Sequence, residues 1–242
     1  MLKIRLLFSL FFFLACRVEA QPLQSQNITK LLSRADSLFD AGQAEPAYQL
    51  YRQIREQGGH QSPQQLLRMA YVQEGRNQYP AALYYLSLAQ AGQPRQDNWR
   101  KMAALAQEHR LTGYPDTWRQ SLTITFRRYY NRLLQGLLVV AVVAGTLLLV
   151  RRRTAGRAWW TAYGAYLAAT AVFLNLLAPP RVGLVARSHA ALMAGPSAGA
   201  AWLTTAAAGD RFAVQGKQDI WYRVRWKGQD AYIRTPDLVL ID

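Results

Sequence analysis

Residues 133–150 read LLQGLLVVAVVAGTLLLV. No charge interrupts this run, and only Gln135 and Thr146 are notably polar. A bilayer core asks for ~20 apolar helical residues at about 1.5 Å each. Residues 133–150, with a short extension, therefore predict a first transmembrane helix. Just beyond it, residues 151–157 place Arg151, Arg152, Arg153 and Arg157 in a tight loop. Residues 158–178 form a second apolar run. It opens on Trp159-Trp160, which suit the headgroup level, and stops at Pro179-Pro180. The expectation is a two-helix transmembrane hairpin joined by an arginine loop.

Upstream, Gly113-Tyr114-Pro115-Asp116 predicts a break. Residues 113–132 then mix Trp118, Phe126, Tyr129 and Tyr130 with Arg119, Arg127, Arg128 and Arg132. Such a mixture can stack bases and pair phosphates. Its place directly before an apolar run points instead to an interfacial segment at lipid headgroups. The formal charge of +15 is read the same way. Basic residues flank greasy runs and favour anionic lipid surfaces, so a lipid bilayer is the expected partner and nucleic acid is not.

Lys3 and Arg5, the apolar stretch Leu6–Ala15 and the small residues of Val18-Glu19-Ala20 predict a signal peptide over 1–20, cut before Gln21. The alternative is a lipidated Cys16. That residue is the chain's single cysteine, so the remainder has no disulfide or thiolate metal site. Export of the N-terminal part sends the first span inward, the loop 151–157 to the cytoplasm and the second span out again. The expected location is the bacterial inner membrane, crossed twice, with both soluble parts periplasmic. The positive-inside rule supports this only weakly, because Arg119, Arg127, Arg128 and Arg132 fall on the outer side.

Residues 21–27 are polar and aperiodic, a linker. Residues 28–112 are helical and repeat. Ala35, Gly42, Ala47, Tyr51 and Ile54 are matched thirty-five positions later by Ala70, Asn77, Ala82, Leu86 and Ala89. Small residues let paired helices approach, and Gly42 and Asn77 tolerate a left-handed turn. The unit resembles the tetratricopeptide repeat. That resemblance places Leu32, Asp36 and Phe39, with Leu67, Tyr71 and Glu74, on a concave face fit for a partner peptide. Packing on a capping helix, roughly Asn98 to Leu111, is the other role open to them.

Residues 179–242 switch to period two. In Trp221-Tyr222-Arg223-Val224-Arg225-Trp226, the residues Tyr222, Val224 and Trp226 are predicted to face a core. Trp221, Arg223 and Arg225 would face outward as a contact surface, with Trp221 the best candidate. Gly228-Gln229-Asp230 reads as a hairpin turn. Gly209, Trp221-Tyr222-Arg223-Val224 and Gly228-Gln229-Asp230-Ala231-Tyr232-Ile233 resemble the bacterial SH3 (SH3b) pattern. Ala231 and Tyr232 replace its usual glycine and tryptophan. The predicted fold class is thus multidomain: all-α tetratricopeptide-like repeats, a two-helix transmembrane hairpin and a small all-β SH3-like barrel.

The order of these parts resembles the BatE family of bacterial aerotolerance (Bat) operon proteins. The resemblance implies work in an envelope complex with von Willebrand factor A-type membrane proteins and a MoxR-type ATPase. It implies a non-enzymatic scaffold, with a peptidoglycan-binding sensor as the alternative. His60, His109 and His189 lack metal-ligand spacing. No nucleophile elbow or phosphate loop is present in the sequence. Neither catalysis nor a cofactor is expected.

Overall fold

The computed structural model describes residues 22–57, 61–115, 117–152, 154, 156–176 and 181–241. The leader with Cys16, and likewise His60, Arg153 and Pro179-Pro180, lie outside the described residues. The chain divides into two compact units, Met1–Gln61 and Ser62–Asp242.

The first unit holds one helix pair, α1 (Pro22–Asp40) and α2 (Ala44–Glu56). The stretch 21–27, expected as a linker, is helical from Pro22 onward. Gly42 makes the turn at φ +79°. Ala35, Ala47, Tyr51 and Ile54 are fully buried between the helices. The Tyr51 hydroxyl donates to Asp36 Oδ1 at 2.6 Å, so the polar end of a buried ring is satisfied across the pair.

The second unit opens with the same device. Ser62 caps α3 (Pro63–Gly75): its Oγ accepts from the Gln65 N–H at 3.1 Å, and Pro63 takes the first turn, where a missing N–H does no harm. Asn77, at φ +59°, turns the chain into α4 (Tyr79–Gly92). Met69, Ala70, Ala82, Leu83, Leu86 and Ala89 form the seam. Next, α5 (Gln96–Glu108) buries Trp99, Met102, Leu105 and Ala106 and packs on α4.

A single helix, α6 (Trp118–Val150), runs through the expected interfacial segment and the first apolar run without a break. Its partner α7 (Arg157–Leu176) lies antiparallel to it. The Tyr163 hydroxyl donates to Ala141 O at 2.9 Å, and the Tyr166 hydroxyl to Leu137 O at 2.6 Å. Tyr130 stacks on Phe173 with centroids 5.2 Å apart. A side chain at Gly145 would meet the Tyr163 hydroxyl, so glycine allows the close approach. Among the described residues only one helix is long and apolar enough to cross a membrane, over Arg128–Val150. Of the two spans expected, the second falls short by this measure, because Trp159, Trp160, Tyr163, Tyr166 and Asn175 dilute the apolar character of α7.

The remainder is all β: β1 (Arg181–Val185), β2 (Ala190–Met193), β3 (Trp202–Ala206), β4 (Arg211–Gln218), β5 (Trp221–Trp226), β6 (Gln229–Arg234) and β7 (Leu238–Ile241). They form one sheet in the order β3-β2-β6-β5-β4-β1-β7, with every pairing antiparallel. Val185, Leu192, Phe212, Val224, Ile233 and Leu238 belong to one buried cluster drawn from the β segment alone. The sheet must therefore curl over its own apolar face. The ends β3 and β7 are not hydrogen-bonded to each other, so the expected barrel is seen as a seven-stranded antiparallel sheet without hydrogen-bonded closure. Lys227-Gly228, both at positive φ, make the β5–β6 turn in the manner of a two-residue hairpin loop. The turn thus falls one residue earlier than predicted.

Candidate functional site

The most constrained place in the second unit is a short strap, Leu111 to Pro115, which ties the helices to the sheet. Asp210, buried at the start of β4, accepts from two backbone N–H groups. Thr112 donates to Oδ1 at 2.7 Å and Ala207 to Oδ2 at 2.8 Å. The Arg211 N–H returns a bond to Thr112 O at 3.1 Å. The Tyr114 hydroxyl donates to Gly209 O at 2.7 Å. Trp99 Nε1 donates to Pro115 O at 3.1 Å, and the Arg211 guanidinium lies 4.8 Å over the Trp99 ring, a cation–π contact.

Two glycines permit this approach. Gly113 sits at φ +93°, and a Cβ there would collide with the carbonyl oxygen of Arg211. Gly209 sits at φ +96°, where a Cβ would come within 2.8 Å of Leu111 Cδ1. Both conformations are ones that side chains rarely adopt. Burial pushes the Tyr114 hydroxyl above its ordinary pKa of 10.0; Arg211 opposes the shift and Asp210 adds to it. The ring is therefore neutral at physiological pH and remains a donor.

The expected contact residues fall in several settings. On α1, Leu32 and Phe39 are half-buried, and Asp36 is engaged with Tyr51. On α3, Leu67 is half-buried. Glu74 pairs with Lys101 of α5 at 2.6 Å, which makes it a brace between helices. Tyr71 is 60% exposed and is the most accessible of the six.

The β surface departs further from expectation. Trp221, predicted as the outward contact, is only 6% exposed, with the Arg234 guanidinium 6.0 Å over its ring. It is a structural tryptophan. Alternation along β5 assigns a face but not what covers that face, and this is why the sequence misplaces it. Arg223 and Arg225 are exposed as expected, and Arg225 pairs with Asp230 at 3.2 Å. Val224 is fully buried, and Tyr222 and Trp226 pack partly buried against the same core.

No protein-family model matches this chain, and no curated protein is significantly similar to it. The geometry therefore speaks for itself. Among the described residues no three His, Cys, Asp or Glu side chains cluster to hold a metal ion. Sequence reasoning missed the strap entirely. Its one local signal was Gly113 followed by an aromatic residue and Pro115, which read as a break and nothing more.

Proposed function

We propose that this chain is a non-enzymatic, membrane-anchored adaptor of a cell-envelope protein complex, of the kind that the aerotolerance resemblance implies. The observation that carries this reading is the surface of α6. Leu138, Val139, Val142, Val143 and Leu147 are all about half exposed or more along a stretch of 23 residues, Arg128–Val150. An aliphatic surface of that length is unfavourable in water and comfortable in lipid. The polar side chains nearby are answered within the helices, as a bilayer demands. Thr146 bonds Val142 O, Thr161 bonds Ala158 O and Asn175 bonds Ala171 O.

In this reading α7 accompanies α6 across the membrane as the second arm of a hairpin. Its tyrosines supply hydroxyls to α6 carbonyls, the kind of contact that joins helices in lipid. The N-terminal end of α6 and the C-terminal end of α7 lie together, through Phe126, Tyr130 and Phe173. Both soluble parts then share one face of the membrane, the periplasmic one. The strap supports an adaptor role, because it couples helices and an SH3-like sheet into one body that can present both to a partner. The peptidoglycan-sensor alternative loses its best contact with the burial of Trp221.

Alkaline-carbonate extraction and photocrosslinking from Tyr71 test the proposal together. The chain is expected in the carbonate-resistant membrane fraction, with a crosslink to an envelope protein such as a von Willebrand factor A-type membrane component. Recovery in the water-soluble fraction without detergent would reject the anchored adaptor.

A further inference from the structure

The base of the hairpin encloses a cavity of about 310 Å³ that the adaptor reading does not use. It lies among α4, the N-terminal third of α6, and strands β1, β4 and β7. Arg128, Arg181 and Arg211 all line it, and none of its lining residues is a carboxylate. Arg211 is held in place by its stack on Trp99, which fixes a planar fork suited to paired oxygens. Arg128 and Arg181 are exposed and can close over an occupant from the rim.

The second observation is Ser87, which also lines the cavity. It is 4% exposed, and its Oγ has no hydrogen-bond partner among the described residues. Buried hydroxyls ordinarily find a partner, because leaving one unmet is costly. Ser87 is one of the residues bordering the space that the three arginines also line. Positive charge in excess and a dry hydroxyl donor together describe an oxyanion site.

We propose that this cavity binds a phosphate group, supplied by the headgroup of an anionic phospholipid. Arg128, Arg181 and Arg211 take its charged oxygens, and Ser87 donates one hydrogen bond. The lipid source follows from position. Arg128 begins the apolar stretch Arg128–Val150, and Tyr130, also on the cavity wall, stacks on Phe173 near the end of α7. The cavity therefore sits at the level where lipid phosphates lie if α6 crosses the bilayer. The choice of lipid over free phosphate rests on the membrane reading; the phosphate chemistry does not.

The test uses the full chain in neutral detergent, read by native mass spectrometry with added phosphatidylglycerol and, in a parallel arm, inorganic phosphate. One phosphatidylglycerol is expected to remain bound through delipidation. Retention should fall at least about tenfold in an Arg128→Gln, Arg181→Gln double variant, the scale of one lost charge-assisted contact. Both side chains are exposed, so the melting curve should not move. Ser87→Ala should weaken retention by a smaller factor with the fold intact. Displacement by inorganic phosphate, without preference for the lipid, would overturn the lipid source. Equal retention by the double variant, or no binding in either arm, would overturn the site. Carbonate extraction of the same membranes separates the two ideas. A water-soluble chain that still binds phosphate sinks the span alone, and an integral chain that binds nothing sinks the site alone.

Discussion

Gly113 and Gly209 carry a heavier constraint than any side chain that packs nearby. At Gly113 an added Cβ meets a backbone oxygen, which cannot move aside; at Gly209 it meets the far end of Leu111, which can. Gly113→Ala is therefore expected to destabilise the second unit by about 2–3 kcal/mol or more, and Gly209→Ala by less, since strained positive φ alone costs ~1–3 kcal/mol. Denaturant unfolding of the two variants checks the order. Tyr114 gives a second prediction. Its raised pKa means that the folded state holds the phenolic proton more tightly than the unfolded one. The resulting stability is complete below pH 10.0, the ordinary value, and drains away as pH rises towards the higher folded value. Tyr114→Phe should cost about 1 kcal/mol at neutral pH, the worth of one hydrogen bond. It should also abolish this part of the alkaline loss, which melting curves at pH 8 and pH 11 would reveal through a double comparison.

At the scale of the element, α6 poses a question that one substitution can answer. Val143 is 53% exposed. A lysine on an exposed helix position in water changes stability by little, within about 0.5 kcal/mol. The same lysine near the middle of a span costs ~2.5–3.5 kcal/mol for insertion. Val143→Lys is thus expected to lower membrane integration several-fold in a glycosylation- or protease-based insertion assay. Unchanged integration would place this face in water or against another protein. The two tyrosines of α7, three residues apart, reach backbone carbonyls of α6 that are four residues apart, so the hairpin is held by fixed points as well as by apolar contact. The hydropathy of α7 hides this, because the aromatic hydroxyls that lower its score are the groups that bond α6.

The whole molecule is legible in its sequence wherever a face repeats at short range. The small residues Ala35, Ala47, Ala70 and Ala82 mark the helix seams, and the run 133–150 marks the exposed greasy stretch. The order Tyr222, Val224, Trp226 marks the inner face of β5. Each follows from periods of a few residues, because a helix or strand repeats its direction over that distance and the side chains record which side avoids water. The strap could not be read this way. Thr112 and Asp210 are 98 positions apart, and Tyr114 and Gly209 are 95 apart. No local pattern pairs them. Nor does alternation reveal that Trp221 is covered, or that Arg128, Arg181 and Arg211 line one cavity. Amino-acid order alone settled where most of the helices and strands fall and which surface shuns water, although it read residues 22–27, the first turns of α1, as a linker. Only the folded chain decided what each face meets, because burial depends on neighbours that arrive from distant parts of the sequence.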